Sequence, residues 1–89
     1  MEGLNESTPL GERLIQLAEG AGISDFYITP WEPIAYRRNG DLVFDEFIYQ
    51  PEQELKIVSG CADYAMVVGE YRFRVNRMVS RGRYRWVLR

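Results

Sequence analysis

Residues 71–89 read YRFRVNRMVSRGRYRWVLR, and apolar and polar side chains alternate along this stretch in two runs. Successive side chains of a β-strand point to opposite faces, so each run predicts a strand with one apolar face. The apolar side chains that share a face are Tyr71, Phe73 and Val75 in the first run and Tyr84, Trp86 and Leu88 in the second. We predict an antiparallel hairpin whose apolar face contributes to a core and whose opposite face carries the arginines.

The same stretch makes the charge of the chain strongly asymmetric. Residues 71–89 hold seven arginines and no acidic residue, a formal charge of +7. Residues 1–70 hold four Lys or Arg against thirteen Asp or Glu, a formal charge of −9. Guanidinium groups bind phosphate and carboxylate through paired hydrogen bonds, so an anionic partner is one explanation. A merely solvated sheet face is the other, and the pattern alone leaves both open.

The length and composition place limits on function. A chain of 89 residues supports one domain with a modest core. No apolar run approaches the roughly 18–20 residues needed to span a bilayer, and the acidic N-terminus does not resemble a signal peptide. The single cysteine, Cys61, cannot form an internal disulfide and fits a reducing cytoplasm. The sequence contains no histidine and no phosphate-binding loop, so we expect no catalytic residue in this chain.

Local signals predict an α+β fold. Residues 1–8 form a loose tail, and Thr8-Pro9 marks the start of a helix that extends to about Glu19. Asn39-Gly40 is a strong two-residue hairpin signal. The first four predicted strands are Asp25–Thr29, Ile34–Arg38, Asp41–Tyr49 and Tyr64–Val68, with a short second helix at Glu52–Ser59. The fourth strand is apolar on both faces, which predicts a central position in the sheet. We therefore expect one domain over residues 9–89, an antiparallel sheet of about six strands with its helices on one side.

The stretch GISDFYITPWEPIAYRRNGDLV, residues 22–43, resembles the N-terminal domain of the secretion ATPase superfamily, which includes the pilus-retraction motors and the type II and type IV secretion ATPases. The family pattern contains Ser-Asp before a strand, a proline-containing turn and an arginine-rich strand that ends in Asp-Gly or Asp-Gly-Asp. Later, YRFRVN followed by RG and VLR is similar to a second family pattern. The resemblance covers about residues 10–89. The matching positions in the first stretch are Ser24, Asp25, Ile28, Pro33, Arg37, Gly40 and Asp41, and Tyr27 stands where the family has histidine.

This resemblance implies a PAS-like domain that packs over the nucleotide of a RecA-like motor domain in a homohexamer. By position, the phosphate contacts would come from Arg74, Arg81 and Arg89. The chain would be the N-terminal part of a longer motor subunit that binds ATP and Mg²⁺ in its motor domain, with no cofactor and no metal of its own. The expected partners are the motor domains of the same and neighbouring subunits and the inner-membrane platform of a pilus or secretion machine. The expected location is the cytoplasm, peripheral to the inner membrane.

Two alternatives stay open. The first is a stand-alone PAS-like ligand or sensor domain, which would need an apolar cavity within the domain. The second is a nucleic-acid-binding module that uses the basic hairpin as its surface. Against the second, Tyr84 and Trp86 are predicted on the core side, away from the arginines, so nucleic acid is not the expected partner.

Overall fold

In the computed structural model, which describes residues 8–50, 63–80 and 83–89, a helix packs on one face of a six-stranded antiparallel sheet. The fold is α+β, as predicted, and is consistent with a PAS-like sheet. The elements are α1 (Pro9–Ala18), β1 (Ile23–Ile28), β2 (Pro33–Arg38), β3 (Asp41–Ile48), β4 (Asp63–Val68), β5 (Tyr71–Ser80) and β6 (Arg83–Leu88).

The helix begins where the sequence predicted. Thr8 has extended backbone angles, and its hydroxyl accepts a hydrogen bond from the backbone N–H of Gly11 at 3.2 Å. Pro9 occupies the first helical position, where its missing N–H has no intrahelical partner to lose. The leucines at helical spacing, Leu10, Leu14 and Leu17, are buried on the side that faces the sheet. The capped start and the apolar stripe together fix the helix against the core.

The turn between β2 and β3 is the predicted two-residue hairpin. Asn39 and Gly40 both have positive φ, 51° and 87°, as a type I′ turn requires. The turn is also tied to the loop after α1, because the Asn39 backbone N–H donates to the carbonyl of Gly22 at 2.9 Å. Gly22 itself has φ 81°, a left-handed conformation that glycine adopts without steric cost.

The strand order is β3-β2-β1-β6-β5-β4, so the sheet consists of two three-stranded meanders joined at β1 and β6. Across this central pair, Phe26 is opposite Leu88 and Ile28 is opposite Trp86. The predicted central position of Tyr64–Val68 is wrong, because β4 is an edge strand of the described sheet. Its apolar composition misled the prediction: Val67 points away from the core and remains 61% exposed.

The core lies between α1 and the inner face of the sheet. Phe73, Val75, Trp86 and Leu88 contribute to it, which confirms the predicted orientation of β5 and of the end of β6. Aromatic rings meet edge to face within it, with Tyr49 and Trp86 centroids 5.8 Å apart. Every strand supplies at least one side chain to this core or to its partly buried margin. The inner face is thereby filled, and the opposite face of the sheet has no helix on it among the described residues.

The helix is also tied to the edge strand β3 by charge. The guanidinium of Arg13 donates to both carboxylate oxygens of Asp45, through Nε at 2.8 Å and through one terminal nitrogen. The Asp45 side chain is only 6% exposed. The pair lies on the inner side of β3, and the neighbouring Glu46 points outward, as the strand alternation predicted.

Three predicted features fall outside the described residues: most of the tail at residues 1–8, the short helix at residues 52–59, and the environment of Cys61. In the part of the chain that is described, no helix is long and apolar enough to cross a membrane.

Candidate functional site

The face of the sheet opposite α1, here called the outer face, carries most of the charged side chains of the central strands. The strand registers place its members in rows across the sheet. They are Asp25, Tyr27 and Thr29 from β1 and its end; Pro33, Ala35 and Arg37 from β2; Leu42, Phe44, Glu46 and Ile48 from β3; Asp63, Ala65 and Val67 from β4; Arg72, Arg74 and Asn76 from β5; and Arg85, Val87 and Arg89 from β6 and its end.

Two of the three arginines singled out by the family resemblance, Arg74 and Arg89, are direct neighbours on this face. The backbone N–H of Arg74 donates to the carbonyl of Arg89 at 2.9 Å, and the reverse bond has the same length. Residues that exchange both bonds across an antiparallel pair have Cα atoms about 5.5 Å apart and side chains on the same face. Both side chains are largely exposed, at 73% and 63%. The sequence also predicted Arg72, Arg83 and Arg85 on the non-core side with them. Arg72 and Arg85 lie there as predicted, and the side chain of Arg83 is outside the described part of the chain.

Each of the two neighbouring arginines has an aspartate beside it. Arg74 donates to Asp63 on β4 through a terminal nitrogen at 3.0 Å and through Nε at 3.4 Å. Arg89 lies 3.5 Å from Asp25 on β1. Because β4, β5, β6 and β1 are consecutive in the sheet, the four groups form a row, acidic at both ends and basic in the middle. Like charges at the centre repel each other, and the flanking carboxylates offset that repulsion.

The hydrogen bonds between Arg74 and Asp63 shift the titration of these two groups. The Arg74 guanidinium, donating to the Asp63 carboxylate, holds the pKa of that carboxyl below its usual value. The same hydrogen bond raises the pKa of Arg74. Both groups are exposed, so solvent screens the interaction and its contribution to stability is small. The Arg74–Asp63 pair is therefore weakly held.

Residues from separate parts of the resemblance meet on the outer face. Asp25 and Arg37 come from the first stretch, and Arg74 and Arg89 come from the second. Tyr27, at the position where the family has histidine, accepts a hydrogen bond from Arg37 Nε at 3.2 Å. The Arg37 guanidinium also lies over the Tyr27 ring, 5.9 Å from its centroid. The third singled-out arginine, Arg81, lies outside the described residues.

Sequence reasoning missed the acidic partners of these arginines. It placed Asp25 at the start of the first predicted strand but did not identify Arg89 as the partner of its side chain. Asp63 carried no signal, because its pairing with Arg74 depends on the adjacency of β4 and β5. The alternation of arginines along residues 71–89 indicated which face of the sheet carries the arginines, but not which acidic side chains pair with them.

Comparison of the chain with protein-family models, with curated proteins and with solved structures found no match.

Proposed function

We propose that this chain is the N-terminal domain of a hexameric secretion ATPase, of the pilus-retraction type or of a related secretion system. In this proposal the outer face packs toward a RecA-like motor domain, and Arg74, Arg89 and Arg81 contact the phosphates of the nucleotide held there. The observation that carries the proposal is the convergence of Asp25, Arg37, Arg74 and Arg89 on one open face. We would not expect the residues of a merely solvated face to match one family pattern in two separate stretches of the sequence.

The ion pairs on this face suit a site that exchanges anions. Exposed salt bridges contribute little to stability because solvent screens them, so Asp63 and Asp25 hold the arginines in place without binding them strongly. A phosphate group carries more charge than a carboxylate and accepts paired hydrogen bonds from guanidinium groups. Arg74 and Arg89 would therefore transfer from their aspartates to a phosphate at little cost when the motor domain presents one.

In such an enzyme the domain itself carries no catalytic residue. The motor domain supplies the phosphate-binding loop, ATP and Mg²⁺. The arginines stabilise the negative charge of the phosphates, and their contacts change when that charge is lost. The partners in this proposal are the motor domains of the same and neighbouring subunits and the inner-membrane platform of a pilus or secretion machine. The location is cytoplasmic and peripheral to the inner membrane through that machine.

The test is the ATPase rate of the full-length subunit, in which this domain precedes the motor domain. Arg74→Ala and Arg89→Ala should each lower kcat by about tenfold or more, since arginine contacts to transferring phosphates contribute on the order of 10³–10⁵ in some enzymes. Lysine should rescue only in part, because its point charge lacks the paired donors of a guanidinium. Arg85→Ala is the matched control: Arg85 has the same charge and lies on the same face, in the strand that leads to Arg89, but it has no family match.

Two results would contradict the proposal. One is an equal and small loss of kcat in all three variants, which would assign the arginines to a solvated face. The other is a reading frame beyond Arg89 that encodes no phosphate-binding loop within roughly 40–60 residues, the spacing that the family resemblance leads us to expect. Melting temperatures of the variants should stay near the parent value, since exposed substitutions usually change stability by about 0.5 kcal/mol or less.

A further inference from the structure

A shallow concavity of about 330 Å³ lies on the outer face, away from Arg74 and Arg89. Its floor and walls come from β1, β2 and β3 and include Tyr27, Pro33, Ala35 and Phe44. Two arginines also line it: Arg37 from β2 and Arg85 from β6. Apolar surface bordered by two guanidinium groups is suited to a partner that is both apolar and anionic.

Neither arginine is neutralised by a carboxylate from residues 8–50, 63–80 or 83–89. Arg37 donates to the Tyr27 hydroxyl and to the carbonyl of Gly40, and Arg85 donates through Nε to the Thr29 hydroxyl at 3.2 Å. These neutral acceptors orient the guanidinium groups and leave the two terminal nitrogens of Arg85 without a partner from that part of the chain. A preorganised side chain loses less conformational entropy when it binds, so each is prepared to receive a carboxylate.

Apolar side chains continue from the concavity along the edge strand β3. Leu42, Phe44 and Ile48 all point to the outer face and are 47%, 69% and 46% exposed. Exposed apolar groups aligned on one strand are typical of an interaction site. Their spacing of two or four residues matches the side-chain repeat of an extended chain. These three side chains, here called the β3 ridge, reach beyond the concavity. The surface therefore fits a peptide segment better than a compact small molecule.

The charge pattern also disfavours nucleic acid here. Glu32 lines the concavity, and Glu46 lies on the outer face of β3 between Phe44 and Ile48. A continuous phosphate backbone would meet both carboxylates, whereas a peptide presents its acids only at intervals. The ridge residues Leu42 and Ile48 are aliphatic, and bases stack on aromatic rings.

We propose that the concavity and the β3 ridge bind an extended segment of a partner protein in which acidic and apolar side chains alternate. Acidic side chains of the segment pair with Arg37 and Arg85, and its apolar side chains cover Phe44, Leu42 and Ile48. The concavity shares the outer face and Arg37 with the proposed motor-domain contact, but neither Arg74 nor Arg89 lines it. The peptide-binding test on the 89-residue chain can therefore succeed or fail independently of the proposed ATPase role.

The test measures binding of fluorescein-labelled peptides to the 89-residue chain by fluorescence anisotropy. The probe is a peptide as long as β3, eight residues, that alternates glutamate with leucine or phenylalanine. Two matched peptides replace either the glutamates by lysine or the apolar residues by serine, and both should bind at least about tenfold more weakly. Arg85→Gln and Phe44→Ala should each weaken the parent peptide by about tenfold, and Arg72→Gln should leave its affinity within about twofold.

Phe44 is largely exposed, so Phe44→Ala keeps the test decisive even if an arginine variant folds poorly. Arg85→Lys is a second arginine variant, and partial recovery of binding would support a charge-assisted contact. The proposal is overturned if the parent peptide does not bind, or if its affinity is the same in Arg85→Gln and Phe44→Ala as in the parent chain. It is also overturned if a labelled oligouridylate competes for this surface and loses affinity in these same variants, because the site would then take single-stranded RNA.

Discussion

Arg13 of α1 and Asp45 of β3 form an ion pair through two nitrogens and two oxygens, and this pair joins the helix to the edge of the sheet. The carboxylate also accepts the backbone N–H of Phe47 at 3.1 Å, while Arg13 donates in addition to the Gln16 side chain. Asp45 is nearly buried, so its charge depends on these donors. This arrangement differs from Arg74 and Asp63, where both side chains are exposed.

The contrast between the two pairs gives the first prediction. Asp45→Asn should lower the free energy of unfolding by about 1–3 kcal/mol, because it removes charge-assisted hydrogen bonds at a nearly buried position. Asp63→Asn is the matched control and should leave the free energy of unfolding close to the parent value, since its pair is exposed to solvent. Urea unfolding of the two variants and the parent measures both values. Equal losses would show that burial does not distinguish the pairs.

The second prediction concerns the stability of the protein at acidic pH. The Arg13 hydrogen bond lowers the pKa of Asp45 below its ordinary value of 3.8. A carboxyl with a lowered pKa in the folded state stabilises the protein fully above its unfolded pKa and loses that contribution as the pH falls through the folded pKa. The stability difference between the parent and Asp45→Asn should therefore be constant near neutral pH and shrink below pH 3.8. Urea unfolding across this range measures it, and a gap that widened in acid would refute the assignment.

The third prediction compares two glycines with nearly the same backbone angle. Gly22 and Gly40 have φ of 81° and 87°, so alanine at either should cost about 1–2 kcal/mol in backbone strain. A methyl group at Gly40 would meet nothing within 4 Å, whereas one at Gly22 would overlap the side-chain amide of Asn39. Gly22→Ala should therefore lower the melting temperature further than Gly40→Ala. Adding Asn39→Gly to Gly22→Ala should recover the difference; no recovery would mean that the overlap is not the cause.

The fourth prediction is that the 89-residue chain neither hydrolyses ATP nor binds it tightly. Its sequence has no phosphate-binding loop, and the arginines of the outer face would provide only one side of a nucleotide site. The measurement is phosphate release with Mg²⁺ and ATP, with a parallel preparation of Arg74→Ala to detect a contaminating ATPase. Turnover that disappeared in Arg74→Ala would contradict the prediction.

Much of the secondary structure was predictable because its signals are local. The Thr8-Pro9 cap, the Asn39-Gly40 turn and the alternation along residues 71–76 and 85–89 each depend on neighbours in sequence, and each was confirmed. The edge position of β4 was not predictable in this way. Strand order follows from contacts between distant segments, and Val67 shows that an apolar side chain on a strand does not require burial on that face.

The candidate site shows the same difference between features with a local sequence signal and features that depend on strand order. Alternation alone placed Arg74 and Arg89 on one face, because the period of a strand is fixed. Their partners Asp63 and Asp25 come from the two strands that flank the hairpin, and only the sheet order reveals them. The pairing of Arg13 with Asp45, 32 residues apart, likewise has no local signal in the sequence.

The position of β6 bears on how the domain forms during synthesis. Of the six described strands, the last in chain order lies in the middle of the sheet, between β1 and β5. Until it emerges from the ribosome, β1 has one open edge, and Phe26 and Ile28 lack the partners that Leu88 and Trp86 provide. These two side chains of β1 therefore stay uncovered on that edge until partners 62 and 58 residues further along the chain are available. Contacts of such long range slow folding, so a nascent chain of this domain depends on its final strand both for closure and for protection from aggregation.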